Sequence, residues 1–535
     1  MSRGVRPLVA AGAATLAGLA ILLAQPPVGA WPLTFLAAPL LLLAVATEVG
    51  LPGEVRPRAF RWGLLAGVVG YGPMLVWLVR PAGFFAWILL VLIQAAWLGL
   101  LAVLVRPVVR RTWVVLAAPL LWVGMDAWRG VFPLGGFAWG TLAYAHVEGS
   151  WMLPMARLVG GRGITLLTVL VGALLFEAVR RVHDGAEGST VEQLRDGLPS
   201  AQRPLLGLAG ALLVSVLATI EPPPATGTTL DVLVVQGNDR LEPGELSSRE
   251  EDLAIARSMR ELTEEAAAAG GAADLTVWPE SSVDRDVFGD AGADLRPEVE
   301  AAAAAAGGGL LLGVNRAGED PDTFLNSAVL LDDDGDPVDA YVKRQLVPFG
   351  EYVPFRAALG WFPPLRQIPR DGVPGERTGP ITVDDVRVAV VICFETLFPG
   401  LVRENVLGDD GTGEAAVVVA STNDASFGRS AEPRQHLAQS RLRAVETGRW
   451  VVHAALSGSS AFVTPEGEAL DETELFTRTT IRRDVPLVTG RTPFLVVGDV
   501  VGAGARLVSA MWLLAVVLRG WRARRLPADP RPERP

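Results

Sequence analysis

The sequence predicts a polytopic α-helical membrane bundle of about eight spans joined to a layered α/β domain. Three observations carry this. Hydrophobic residues make up 50% of the 535-residue chain, and mean hydropathy is +0.35. The apolar excess is gathered into stretches near the ~20 residues that cross ~30 Å of hydrocarbon. Beyond residue 230 the pattern changes to short Val- and Leu-rich runs bounded by Gly, Asp or Asn, alternating with helical stretches. The charge divides in the same way: residues 221–493 hold 46 acidic and 24 basic residues, a net −22, while the remainder nets +11.

The spans lie near 7–24, 31–49, 62–79, 84–105, 112–128, 163–179, 204–220 and 500–518. The first follows Arg3 and Arg6, as a cleaved signal peptide would. Six further spans before residue 221 make it a retained anchor helix. The last has Asp499 and Arg506 crowding its start. Arg56, Arg58 and Arg61 follow span two, Arg106, Arg110 and Arg111 follow span four, Arg180, Arg181, Arg195 and Arg203 lie between spans six and seven, and Arg519, Arg522, Arg524 and Arg525 follow span eight. The alternate loops are poorer in Arg. The positive-inside rule then puts both termini in the cytoplasm and the acidic domain outside it. The expected division is 1–220 (seven helices), 221–493 (extracytoplasmic catalytic domain), 494–519 (last helix) and 520–535 (cytoplasmic tail). Residues 129–162 are rich in Gly and aromatics, which fits either interfacial anchoring or the lining of a lipid access path.

Glu221-Pro222-Pro223-Pro224-Ala225-Thr226-Gly227 reads as a linker. Strands are expected at 230–236, 275–279, 309–315, 326–331, 386–393, 415–421, 450–455 and 460–464, and helices at 247–269, 294–306 and 433–448. The alanine run at 301–306 should end in a helix cap at Gly307–Gly309. Asp332-Asp333-Asp334-Gly335 reads as a hairpin turn, since a calcium loop would need a downstream Glu at the right spacing.

The chain has one lysine, Lys343, against 46 arginines, and one cysteine, Cys393. A lone Lys among so many Arg marks a place where a compact ammonium is needed and a broad guanidinium would not fit. The preceding Trp278-Pro279-Glu280 supplies a carboxylate at a strand end. Glu, Lys and Cys together form a nucleophilic set: Cys393 to attack, Glu280 to take its proton, Lys343 to stabilise an oxyanion. The four histidines, His146, His183, His436 and His453, form no Cys/His protease signature, and no cluster of Cys and His suggests a metal. No cofactor is expected. A polyacidic domain disfavours nucleic acid as a partner.

The α/β part resembles a nitrilase-superfamily, or carbon–nitrogen hydrolase, domain, which implies an αββα sandwich and a Glu280–Lys343–Cys393 triad. The whole chain resembles the bacterial apolipoprotein N-acyltransferase family. The likeness rests on Val235-Gln236-Gly237-Asn238, Trp278-Pro279-Glu280, Lys343 through Pro354, Cys393-Phe394-Glu395, Thr422 through Gly428, Gln435-His436 and Arg441 through Glu446. It implies acyl transfer from a membrane phospholipid, through a Cys393 thioester, to the α-amine of a diacylglyceryl-cysteine lipoprotein. Glu351 and Glu395 match further family positions, with supporting roles toward Lys343 and the thiol; Glu395 can equally be structural. Asn423 and Asp424 read as loop-fixing residues. Phe394 stands where Tyr is common, and 239–243 and 456–460 depart from the family pattern. Two other readings use the same residues: a membrane-tethered amidase, and a non-enzymatic polytopic sensor. The intact triad argues against the sensor, and the eight spans are unexplained by the amidase.

Overall fold

The structure, a computed structural model, describes residues 5–47, 57–184, 190–217, 220–238, 248–361, 365–366, 368–408 and 413–525. Its N-terminal part is a helical bundle: α1 (Val5–Ala24), α2 (Thr34–Ala46), α3 (Pro57–Met74), α4 (Val79–Val105), α5 (Val114–Arg129), the short α6 (Leu142–Ala145), α7 (Ala156–Asp184) and α8 (Thr190–Leu217). Every predicted span in this region falls on a helix. Among the described residues four helical stretches are long and apolar enough to cross a membrane: Arg6–Ala24, Val76–Val105, Leu153–Asp184 and Val500–Arg519. The others fall short for physical reasons. Helix α2 has 13 residues, α5 has 16, and α3 carries Arg58 and Arg61 in its first turns. In α8 the apolar run is confined to Ala201–Leu217. Outward-facing Leu206, Leu213 and Leu217 nevertheless give α8 an exposed apolar face, a surface that water does not favour.

The α/β domain contains β1 (Ala225–Gln236), α9 (Ser248–Gly270), β2 (Leu275–Val283), α10 (Arg296–Ala306), β3 (Gly309–Ala317), β4 (Thr323–Leu331), β5 (Pro337–Val342), α11 (Arg356–Leu359), β6 (Asp371–Gly372), β7 (Ile381–Val383), β8 (Val386–Ile392), α12 (Pro399–Leu407), β9 (Val417–Thr422), α13 (Glu432–Thr447), β10 (Trp450–Ala455), β11 (Ala461–Val463), β12 (Ala469–Leu470) and β13 (Thr479–Val488). The chain closes with α14 (Pro493–Val497) and α15 (Val500–Arg525). One sheet runs β13-β1-β2-β3-β4-β5, with β6 beside β4; the other runs β12-β11-β10-β9-β8-β7. Val234, Val277, Val390, Val419 and Val452 meet between the sheets. Helices α9 and α10 cover the first sheet through Met259, Val299 and Ala303. Helices α12 and α13 cover the second through Val402, Leu437 and Ala444. This is the four-layer sandwich expected, and each predicted strand and helix of the domain falls on one of these elements.

Two local features match their chemistry. Gly307 caps α10 at φ 61°, and Gly335 N donates to Asp332 O at 2.9 Å in the β4–β5 turn. Strand β13 was not legible. It sets Arg482, Arg483 and Asp484 side by side ahead of Val485, Leu487 and Val488, as an edge strand allows. Its charge is matched across the ladder, where Arg482 Nη2 lies 2.5 Å from Asp231 Oδ2.

Strand β2 is irregular where it carries Glu280. Its register with β3 shifts between Trp278 and Val283, and Ser281 has φ 55°. Such a bulge re-aims a side chain. It is possible only because Gly313 on β3 has no side chain: a Cβ there would overlap Pro279 O and Glu280 Cα. Gly313→Ala should therefore destabilise the chain by ~1–3 kcal/mol, whereas Gly210→Ala, at a position with open space, should not. Thermal unfolding of the full chain in detergent checks this; equal midpoints for the two variants would refute the bulge argument.

Candidate active site

Glu280, Lys343 and Glu351 meet in a buried cluster. Lys343 lies just past β5, its backbone N–H donating to Asn326 O at 2.9 Å. Its Nζ donates to Glu280 Oε1 at 2.9 Å and Glu351 Oε1 at 3.0 Å. Asn326 Nδ2 spans the same two oxygens, at 2.7 and 2.8 Å. The second oxygens are held by main chain: Asn423 N donates to Glu280 Oε2 at 3.0 Å and Val347 N to Glu351 Oε2 at 2.7 Å. Burial works against the Lys343 charge, but Glu280 and Glu351 outweigh it and hold the ammonium well above its ordinary pKa. Lys343 is thus a fixed cation at neutral pH.

Cys393 follows the last residue of β8 and opens a short helical turn, Cys393–Leu397, with φ 51°. This left-handed conformation is uncommon for a residue with a side chain, and it makes a sharp elbow between strand and helix. Burial, and next Glu280, push the thiol well above its ordinary value, while Lys343 opposes them. The resting group is therefore a thiol that needs a base.

Glu395 fixes this elbow. It receives Ile392 N at 2.8 Å, Arg344 N at 2.7 Å, Gln345 N at 3.1 Å and the Tyr341 hydroxyl at 3.0 Å. It thereby ties the Cys393 turn to the segment that follows Lys343. Phe394 is buried and packs edge-on to Phe398 with ring centroids 5.2 Å apart, a place where a hydroxyl is not needed. Gln236 is a structural anchor: it accepts from Ser460 Oγ at 2.8 Å and Thr473 Oγ1 at 2.7 Å, and donates to Glu474 O and Thr477 O. The 456–460 departure therefore belongs to this anchor, while 239–243 lies outside the described residues.

Sequence reasoning passed over Asn326 as a site residue and named His436 in a motif without giving it a role. Asn326 sits in a strand and carries no motif. His436 Nε2 lies 3.1 Å from Cys393 O, and Nδ1 lies 3.0 Å from Asp424 Oδ1. The hydroxyls of Thr422, 3.3 Å from Nδ1, and Thr396, 3.1 Å from Nε2, share the two ring nitrogens. Burial would lower the His436 pKa, but Asp424 raises it, and His436 in turn lowers Asp424 against the opposing effect of burial. Asp424, Glu432 and His436 are also the one group among the described residues spaced for a metal ion. Within this group His436 Nδ1 lies 3.0 Å from Asp424 Oδ1 and 3.8 Å from Glu432 Oε1.

Comparison with known proteins gives two family models on this chain: the apolipoprotein N-acyltransferase N-terminal domain over residues 17–174 and carbon-nitrogen hydrolase over residues 235–492. An apolipoprotein N-acyltransferase of Geobacter metallireducens is 30% identical over 524 residues, covering 93% of this chain and 94% of that one. The chain belongs to the apolipoprotein N-acyltransferase family. Another of that name, from Gloeobacter violaceus, is 32% identical over 91% of this chain and 90% of its own length. Among solved structures, a mutant of the Nesterenkonia AN1 amidase from the nitrilase superfamily is 19% identical, covers 55% of this chain and 98% of that one, and has a TM-score of 0.35.

Within this family frame the site makes two predictions. Lys343→Arg should be nearly as damaging to turnover as Lys343→Ala, because a guanidinium cannot occupy the cavity bounded by Glu280, Glu351 and Asn326; turnover within a few-fold of native for the Arg variant would refute this. The second concerns pH. His436 is raised, so its contribution to stability is full below about pH 6.5 and is lost as pH rises through its folded pKa. Asp424 is lowered, so its contribution is present above about pH 4 and is lost as pH falls through its folded pKa. Glu432, His453 and Glu280 face the same pair. Thermal unfolding of the native chain should weaken above about pH 6.5, and His436→Gln should flatten that decline; parallel curves would overturn the stabilising role of the His436–Asp424 pair.

Proposed function

We propose that this chain transfers a fatty acyl group from a membrane phospholipid to the N-terminal α-amine of diacylglyceryl-cysteine apolipoproteins. The observation that carries the reading is the meeting of Glu280 and Lys343, 2.9 Å apart and buried, at the sheet edge where β8 delivers Cys393. Glu280 takes the thiol proton as Cys393 Sγ attacks the ester carbonyl carbon of the donor. Lys343 stabilises the resulting oxyanion, where a preformed charge is worth most. Collapse breaks the ester C–O bond; the departing glycerol oxygen takes the proton from Glu280, leaving a lysophospholipid and an acyl-thioester. In the second step the acceptor amine attacks that thioester and gives its proton to Glu280. The C–S bond breaks, an amide remains, and the sulfur is reprotonated. Glu351 orients Lys343, and Glu395 orients the elbow.

In this reading α1 to α5, α7, α8 and α15 cross the bacterial plasma membrane, the shorter ones together with their flanking residues, and the α/β domain lies outside the cytoplasm between a seven-helix unit ending near 220 and a last helix starting near 494. The alternation of helix ends supports it. Contacts with the α/β domain come from the ends of α1, α3 and α5 and from the start of α7. Arg162, near the start of α7, pairs with Asp499 at the start of α15. Consecutive spans therefore point in opposite directions relative to the domain, in accord with the Arg-rich loops at their far ends.

The test is intact-mass analysis of the purified protein after incubation with phospholipid. The expected result is an acyl-sized adduct that hydroxylamine removes and that Cys393→Ala lacks. Its absence from folded native protein would favour hydrolysis of soluble amides instead.

A further inference from the structure

Helix α13 has one face on the membrane bundle and another on the nucleophile. Gln435, buried near its start, uses its whole amide on the bundle. Its Oε1 accepts from the Trp139 indole at 2.7 Å and the Trp77 indole at 3.2 Å, and its Nε2 donates to Pro26 O at 3.2 Å and Met74 O at 3.4 Å. Those partners come from the ends of α1 and α3, the turn after α3, and the loop after α5. The next residue, His436, is rotated about 100° around the helix and reaches Cys393 O at 3.1 Å and Thr396 Oγ1 at 3.1 Å. Gln439, one turn on, accepts from the Thr396 hydroxyl at 2.9 Å. A parallel route runs through rings: Trp77 lies 5.1 Å from Trp139, Phe137 stacks with Trp139 at 5.8 Å, and Phe137 lies 6.2 Å from Phe394. The loop carrying Phe137 and Trp139 is itself pinned by Arg129, whose side chain donates to Trp139 O at 2.8 Å and whose carbonyl accepts from Phe137 N at 2.8 Å.

We infer that Gln435 is a positioning residue through which the ends of three bundle helices set the geometry of the Cys393 elbow. The apolar contacts agree, since Phe394, Leu397, Ala438 and Leu442 belong to the core of the bundle and not to that of the sandwich. An elbow held at φ 51° needs support from several sides. Here one side is supplied by a tetravalent amide whose partners would all be lost if α13 parted from the bundle.

The inference rests on Cys393 being the nucleophile, and its test uses two readouts on the full chain in detergent. The first is the rate of acyl-thioester formation. The second needs no acyl donor: the pH profile of iodoacetamide alkylation, which reports on Cys393 alone because it is the only cysteine. In Gln435→Met, kcat for thioester formation should fall about tenfold or more with KM unchanged. The apparent thiol pKa should also shift, as the distances to Glu280 and Lys343 change. Gln435→Glu, which can accept from the indoles but not donate to the carbonyls, should be intermediate. Trp512→Phe removes a hydrogen bond inside the bundle, to Leu104 O, and should move neither readout. Should Gln435→Met fail to fold, Trp139→Phe, which keeps the ring and loses the donor, is read in the same way. Native kcat and a native alkylation profile in a folded variant would overturn the inference, as would a rise in KM with kcat intact, which would make this contact part of lipid binding. A shifted alkylation profile in Gln435→Met, beside a native chain that forms no thioester, would retain the positioning role of Gln435 and remove the acyl-transfer reading.

Discussion

The site depends on burying one cation against two carboxylates. Removing charges from water costs several kcal/mol per ion unless each is paired and its remaining lone pairs are filled. Lys343 cannot balance Glu280 and Glu351 alone. The deficit is spread over Asn326, which donates to both, and over the main-chain N–H groups of Asn423 and Val347. Each donor comes from a different segment, so the cluster assembles only when β2, β4, β5 and the loop after β9 are all in place. That requirement explains why the site lies at one edge of the sandwich.

The same constraint accounts for the irregularities around it. An even β2 would alternate its side chains and could not turn Glu280 toward the others while keeping Trp278 in the core, where its indole donates to Thr263 Oγ1 at 3.0 Å. The bulge, the positive φ of Ser281 and the bare backbone of Gly313 resolve that conflict. Cys393 is treated likewise. A strand residue would lie within the ladder; a left-handed one stands above it, and Glu395 accepts from the Ile392 N–H that leads into the turn.

Much of this was legible in the sequence because it rests on single residues with distinctive chemistry. The lone Lys343, the lone Cys393 and the Pro-bounded Glu280 announce themselves, and the Val-rich strands mark a two-sided core. What was hidden depends on partners far apart in the chain. Asn326 is an ordinary strand residue until β2 and the Glu351 turn are brought beside it. His436 matches no protease pattern because it acts on a carbonyl oxygen, not on a sulfur. Strand β13 conceals itself because an edge strand answers charge with charge across the ladder. Within the Gly- and aromatic-rich segment after α5, which fits an interfacial anchor or a lipid path, Trp139 is buried against Gln435 of α13 and Phe132 is exposed.

That burial bears on why bundle and sandwich are one chain. Two domains joined only by linkers would move freely relative to each other, and small polar interfaces do not prevent it. Here the interface has an apolar core shared with the bundle, charged locks where Arg157 donates to Ile220 O and Pro465 O and Gly161 N meets Glu446, and a turn of α7 opened at Gly160 to admit Phe494. In the proposed reaction both substrates are drawn from the bilayer, while the thioester between them must be kept from water. A thiol mounted on an independently mobile domain would meet neither demand. Seating the elbow on the bundle fixes its height above the helix ends, and with it the depth from which an acyl ester can reach the sulfur.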